Sequence, residues 1–272
     1  MMKRESMNKN KTNIASLPSG SLNRATILLN AIASGSRKGM SLSKLVSRTG
    51  LPRPTIHRVL NTLMSLGWVE RNEQTSRFNL GMDLAALGYS AMSRHPVERV
   101  ASTELATLAN KINQVVYLGI RSGLDIVCIG RYESESDIQV GKGWVGMRGP
   151  FGMTPACLGM FACMPKEEVD EIIKLNMSRY HRIEGFDEKR FYETLAKSIK
   201  AGSGVYDNIL LDRTTSGLGV AICDPAGYPV AGIGTTYITG MLDKTQQQHH
   251  LELMQQAAVN ISKRLFIADE TQ

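Results

Sequence analysis

Between residues 21 and 80 the apolar positions recur at helical spacing three times and then begin to alternate. Ala25, Leu28, Leu29 and Ile32 fall at i, i+3, i+4 and i+7, which is one face of a first helix, with Ser21 placed as its N-cap. Gly35, Arg37 and Lys38 end it. Ser41 caps a second, shorter helix with Leu42, Leu45 and Val46 inward, and Gly50 supplies the left-handed residue that closes it. A third helix opens in LPRPT, where Pro52 and Pro54 are tolerated because first-turn N–H groups have no intrahelical acceptor. Ile56, Leu60 and Leu63 form its core stripe, Arg58, Asn61 and Ser65 lie opposite, and Thr55, His57 and Thr62 flank them. After Gly67, the runs 68–71 and 77–80 alternate around a polar tip, the pattern of a hairpin with Arg71 and Arg77 beside the tip. Three helices and a hairpin make a winged helix-turn-helix.

The pattern then changes. Leu84, Leu87 and Met92 give a linking helix from Met82 to about Arg94, ending before Pro96. Val97–Ile112 reads as a helix with Val100, Leu105 and Leu108 inward, followed by β-rich runs at 115–120 and 125–130. Residues 136–150 are glycine-rich, 152–164 enter a helix through small residues, and 167–175 and 188–202 are amphipathic helices. Strands at 217–224 and 228–236 are joined by Pro225-Ala226-Gly227, with Gly227 at positive φ. A last long helix, from about Leu242 to Phe266, carries a stripe of Leu251, Met254, Ala258, Ile261 and Leu265. The expected chain is α+β. A disordered arm spans 1–20, a winged helix-turn-helix 21–81 and a linker helix 82–96. An α/β domain around a central antiparallel sheet occupies 97–272.

Charge sharpens this division. The 272 residues carry a formal +7, but residues 1–82 hold 13 Lys and Arg against 3 Asp and Glu, leaving 19 against 22 in the remainder. A basic small domain beside a slightly acidic larger one points to a polyanion partner for the first only. The N-terminal residues lack the apolar core of a signal peptide, and no apolar run reaches the roughly 18 residues of a membrane span, so the expected location is cytoplasmic, without a membrane partner. Cys128, Cys157, Cys163 and Cys223 form no CxxC pair and sit in apolar runs, which reads as buried reduced thiols. Neither a G-x-S-x-G elbow nor a metal-spaced His/Asp/Glu set is present, nothing in the sequence places a histidine beside Cys157 or Cys223, and the adjacent His249 and His250 cannot share a helix face. The reading is a protein without catalytic function, cofactor or metal.

A helix-turn-helix lays its second helix in the major groove, with residues near that helix's N-terminus reaching base edges. Here they are Arg53, Thr55, His57 and Arg58, with Asn61 a turn further. Arginine bonds guanine bidentately and asparagine does the same to adenine. Ser41, at a helix N-terminus, is placed like a phosphate contact, and Arg71 and Arg77 would hold the DNA backbone or enter the minor groove.

The run from SLNRATILLNAIA through SLSKLVSRTGLPRPTIHRVLNTLMSLGWVERN to SRFNLGMDLAALG closely resembles the N-terminal domain of the IclR family of bacterial transcription regulators. RGPFGMTPACLGMFACMP (148–165) resembles the family's segment opening an effector-domain helix, and GVAICDPAGYPVAGIGTT (219–236) its paired strands. The resemblance implies a GAF-like domain that binds a small organic effector and shifts the affinity of dimers, or dimers of dimers, for double-stranded operator DNA. It further implies a pocket lined by Thr154, Pro155 and Ala156, by Ala221, Gly234 and Thr236 of the paired strands, and by a preceding segment near Asp212. This chain departs from the family in having Ala221 where many members have proline, Gly234 where a hydroxyl residue is frequent, and Gly240 where an arginine commonly follows the last strand.

The residues themselves support a similar reading. A helix entered through small residues presents free N–H groups to a carboxylate, and Met147, Met153, Met160, Phe151 and Trp144 would give adaptable apolar walls. A small aromatic or aliphatic acid suits that mixture. The alternative is an oligomeric DNA-binding or architectural protein whose second domain is ligand-blind.

Overall fold

The computed structural model describes residues 20–35, 38–92, 96–135, 140–141, 143–206 and 214–266. The expected arm, apart from Gly20, and Asp212 lie outside the described residues. The chain divides into two compact units, one through Leu87 and one from Gly88.

In the first unit α1 (Ser21–Ala33), α2 (Leu42–Thr49) and α3 (Arg53–Ser65) are followed by β1 (Val69–Arg71) and β2 (Phe78–Leu80). Their stripes meet in one core of Leu28, Ile32, Met40, Leu45, Ile56, Val59, Leu60, Leu63, Val69 and Phe78. Ser21 is not the cap of α1. Gly20 holds that position without a side-chain bond, and Ser21 is already helical. Ser41 does cap α2, its hydroxyl accepting from Lys44 N at 3.4 Å. Gly50 closes α2 at φ 68°, its N–H bonded to the Val46 carbonyl. Since nothing lies within 4 Å of where its Cβ would sit, Gly50→Ala should cost only left-handed strain. Chemical denaturation should show a loss of about 1–2 kcal/mol.

The hairpin pairs Val69 with Leu80 and Arg71 with Phe78, and an isolated bridge between Met40 and Phe78 ties it to the start of α2. α4 (Met82–Met92) follows. Its expected apolar stripe is not a buried one, because Leu84 is half-buried and Leu87 is 54% exposed.

In the second unit α5 (Val97–Ile112) leads into β3 (Val116–Ser122), β4 (Asp125–Tyr132) and β5 (Arg148–Pro150). Next come α6 (Pro155–Phe161), α7 (Lys166–Tyr180), α8 (Glu188–Ala201), β6 (Gly204–Tyr206), β7 (Thr215–Cys223), β8 (Pro229–Ile238) and α9 (Lys244–Phe266). The described strands form one antiparallel sheet in the order β5-β4-β3-β8-β7-β6. α5 and α9 cover one face, where Leu105, Leu108, Met254 and Ile261 meet Leu118, Val220, Ile222, Ile233 and Tyr237. The other face carries α6, with α7 and α8 packed around it through Phe161, Ile173, Tyr180, Phe191 and Leu195. The β7–β8 turn is held by Asp224, whose carboxylate accepts from Ala226 N at 2.9 Å and Tyr228 N at 2.8 Å, with Gly227 at φ 82°. The expectation of four buried thiols needs correction: Cys157 is buried, whereas Cys128, Cys163 and Cys223 are half-buried.

Candidate functional site

Helical geometry puts residues four apart on one face. On α3 this aligns Arg53, His57 and Asn61, all exposed above the buried Ile56, Val59, Leu60 and Leu63. That stripe forms one wall of a groove of about 400 Å³. Ser41 and Ser43 at the start of α2 and Arg71, Thr75 and Ser76 of the wing complete its polar lining, with Leu60, Met64 and Phe78 at the floor. Arg53 and Arg71 bring positive charge to the lining, and no carboxylate is among the described lining residues.

The wing is shaped for this position by its own bonds. Asn72 accepts from Thr75 N at 2.8 Å and from the Thr75 hydroxyl at 2.9 Å, and Ser76 takes a left-handed φ of 52°. The Arg71 guanidinium donates to Ser76 Oγ at 3.0 Å, which holds both on the groove side.

The expected DNA contacts separate in space. Ser41, Arg53, His57, Asn61 and Arg71 come together around the groove. Arg58 is exposed on the adjoining shoulder of α3, outside the groove lining. Thr55 is half-buried. The Arg77 guanidinium donates to the Gly39 carbonyl at 3.1 Å and braces the base of the wing. Ser43, Thr75 and Ser76 were missed by the sequence reading.

In the second unit the start of α6 lies directly on the sheet. Strand register aligns Gly204, Gly219 and Gly234 across β6, β7 and β8 and continues to Tyr117 and Arg131. A Cβ on Gly219 would sit 1.9 Å from the Pro155 carbonyl oxygen, and one on Gly204 would sit 2.3 Å from the same atom. Only glycine permits this approach. Thr154 caps α6, its hydroxyl accepting from Cys157 N at 3.3 Å, and burial pushes the Cys157 thiol up, so it stays protonated.

The expected effector residues fall into two groups. Met153, Pro155 and Ala156 are buried, and Ala156 packs on Gly234, where an added Cβ would be 3.2 Å from that of Ala156. Gly234 therefore serves the docking of α6 rather than lining an open wall, which also accounts for the lack of a hydroxyl there. Ala221 is half-buried and packs against the cluster of α6, α7 and α8. Thr236 donates to the Val140 carbonyl at 3.1 Å. Near it lies the Tyr117 hydroxyl, buried and without a hydrogen-bond partner in the structure: a Cβ on Gly141 would be 2.1 Å from Tyr117 Oη and 3.1 Å from Thr236 Oγ1. The sequence did not single out Tyr117. The signal available was strand alternation, which sends Tyr117 to the face opposite Val116 and Leu118.

The IclR helix-turn-helix domain model matches residues 21–73, and that of the bacterial transcriptional regulator IclR C-terminal domain matches residues 89–263. The chain is 22% identical over 260 residues to the HTH-type transcriptional regulator KipR of Bacillus subtilis, covering 95% of this chain and 98% of that one. It is 23% identical over 243 residues to KdgR of Escherichia coli, covering 86% and 88%. Among solved structures, an IclR transcriptional regulator from Alicyclobacillus acidocaldarius aligns with a TM-score of 0.71 at 20% identity, over 89% of this chain and 97% of the other. An IclR homolog from Microbacterium hydrocarbonoxydans, complexed with 4-hydroxybenzoate, aligns with a TM-score of 0.69 at 19% identity, over 90% and 99%. These structural likenesses establish the fold. With the C-terminal match alone spanning more than half of its length, the chain belongs to the IclR family of DNA-binding bacterial transcription regulators.

Proposed function

We propose that the chain binds a specific operator duplex through α3 and that a small organic acid, held beside α6 in the second unit, alters that binding. The observation that carries the DNA half is the convergence of Arg53, His57 and Asn61 with the N-terminus of α2 and the wing around one groove without a carboxylate in its described lining. Such a groove accepts a sugar–phosphate strand: Ser41, Ser43 and Arg71 position it, and Arg53, Arg58 and Asn61 reach base edges. The protein acts in the cytoplasm, where the DNA is, and no helix among the described residues is long and apolar enough to cross a membrane. Met82, Leu87 and Tyr89 expose apolar surface on α4. Packing of that surface against a second copy would make the homodimer, or dimer of dimers, that places two reading heads on one operator.

Support for an aromatic or aliphatic acid comes from the unpartnered Tyr117 hydroxyl, its cross-strand neighbour Arg131 and the methionine-rich surroundings of α6. The structural neighbour complexed with 4-hydroxybenzoate accords with this chemistry. One observation favours the ligand-blind alternative: Pro155 and Ala156 are buried against glycine instead of facing open space.

A thermal-shift screen of benzoate, 4-hydroxybenzoate and short aliphatic acids separates the two readings. The sensor reading predicts an acid that raises the melting temperature and changes operator affinity, with operator changing acid affinity by the same factor. It also predicts that Tyr117→Phe weakens that acid about 5- to 20-fold, the effect of one lost hydrogen bond. A chain that melts identically with every acid while binding DNA would favour the alternative.

A further inference from the structure

The first unit holds a single histidine, His57, midway along the groove face of α3. It stands four residues from Arg53 and four from Asn61 on the exposed stripe, so the three side chains share one wall. The rest of the polar lining comes from Ser41 and Ser43 of α2 and from Arg71, Thr75 and Ser76 of the wing. Its charged groups are Arg53 on the histidine's own helix and Arg71 on the wing, both cations. Lys44 and Arg48 of α2 and Arg58 of α3 add exposed positive charge outside the lining.

The carboxylates among the described residues of this unit are held elsewhere. Glu70 accepts from Met82 N at 3.3 Å at the start of α4. The Asp83 carboxylate lies over Gly67, where an added Cβ would be 2.0 Å from its Oδ2. Glu73 is exposed at the wing tip, outside the groove lining. The described lining therefore offers an imidazolium at His57 no anion, whereas a phosphodiester seated in the groove does. Histidine is the side chain whose charge ordinarily changes between about pH 5 and 8. An anion brought by the ligand favours its protonated form.

We infer that His57 takes up a proton from solvent when DNA enters the groove, its imidazolium donating to a phosphate oxygen of the strand that Ser41, Ser43 and Arg71 position. DNA affinity is then coupled to pH. The inference rests on the reading of α3 as the DNA-contacting helix, and gives His57 a role that the permanently charged and neutral groups around it cannot fill. Binding that takes up a proton tightens as pH falls. The added affinity is present on the acid side and is lost as rising pH removes the proton from the complex.

The test is fluorescence anisotropy of the full chain on a labelled duplex of random sequence at about pH 6 and about pH 8, each over a series of salt concentrations. Affinity should be about 3- to 10-fold tighter at the lower pH, the effect of one hydrogen bond. The slope of log affinity against log salt should be steeper there by up to about 0.9, the counterion release of one more phosphate contact. His57→Gln, native by circular dichroism, should show at both pH values the affinity and salt slope of the native chain at the higher pH. His57→Arg should show the steeper slope at both. The chain's other histidines, His95, His181, His249 and His250, all follow the first unit and are untouched in these variants. Full pH dependence in His57→Gln would therefore overturn the inference. So would native affinity that is equal at the two pH values, or a pH dependence without a change in salt slope. A native chain that binds the duplex at neither pH would overturn the reading of α3 as well.

Discussion

Replacing Arg53 with alanine is expected to weaken operator binding about 5- to 150-fold, the equivalent of about 1–3 kcal/mol for one bidentate base contact. Arg53 is the first residue of α3, where a recognition helix meets base edges, and its side chain is exposed on the groove wall. The loss should fall on the operator far more than on random duplex, since the phosphate contacts proposed for Ser41 and Arg71 would remain. Arg77→Ala should behave differently. With its guanidinium on the Gly39 carbonyl, its removal loosens the wing and lowers affinity for all sequences alike. Fluorescence anisotropy at one fixed salt concentration, on operator and random duplex in parallel, separates these outcomes. Equal losses on both duplexes for Arg53→Ala would place that residue on the phosphate backbone.

Gly219→Val is expected to destabilise the second unit by at least about 3 kcal/mol, the upper end of the cost of overpacking. The first atom of the new side chain would lie 1.9 Å from the Pro155 oxygen and 2.2 Å from its carbonyl carbon. These are backbone atoms of a buried helix entry and cannot turn aside as a side chain would. The loss is a large fraction of the roughly 5–15 kcal/mol that holds a domain together. Gly227→Ala is the matched control: its φ is 82° but nothing lies within 4 Å of the added atom, so only left-handed strain of about 1–2 kcal/mol is added. Melting followed by circular dichroism should rank Gly219→Val well below Gly227→Ala and native. If Gly219→Val melts with the native chain, α6 is not seated on the glycine row.

The helices of the first unit were legible because each writes its buried stripe into a local period, and Ser41, Pro52, Pro54 and Gly50 mark where those periods start and stop. α5 was legible for the same reason. β5 and β6 were not: Arg148-Gly149-Pro150 and Gly204-Val205-Tyr206 carry no alternation of their own and become strands through pairing with β4 and β7. The same limit applies to the sites. Arg53, His57 and Asn61 share a helix face and could be grouped from spacing, whereas the approach of Ser43, Thr75 and Ser76 to that face depends on the fold. The inward turn of Arg77 depends on a carbonyl contributed from before α2, and the role of Gly234 on the seat of Ala156.

Selection of binding sites from a random duplex pool by the full chain tests most directly whether α3 reads bases. The native chain should enrich one shared sequence. The double variant Arg53→Ala, Asn61→Ala, with native circular dichroism, should still bind the pool in a salt-dependent way but enrich none. A native chain that enriches no sequence, or a double variant that enriches the same sequence as native, would contradict the reading of α3 as the recognition helix.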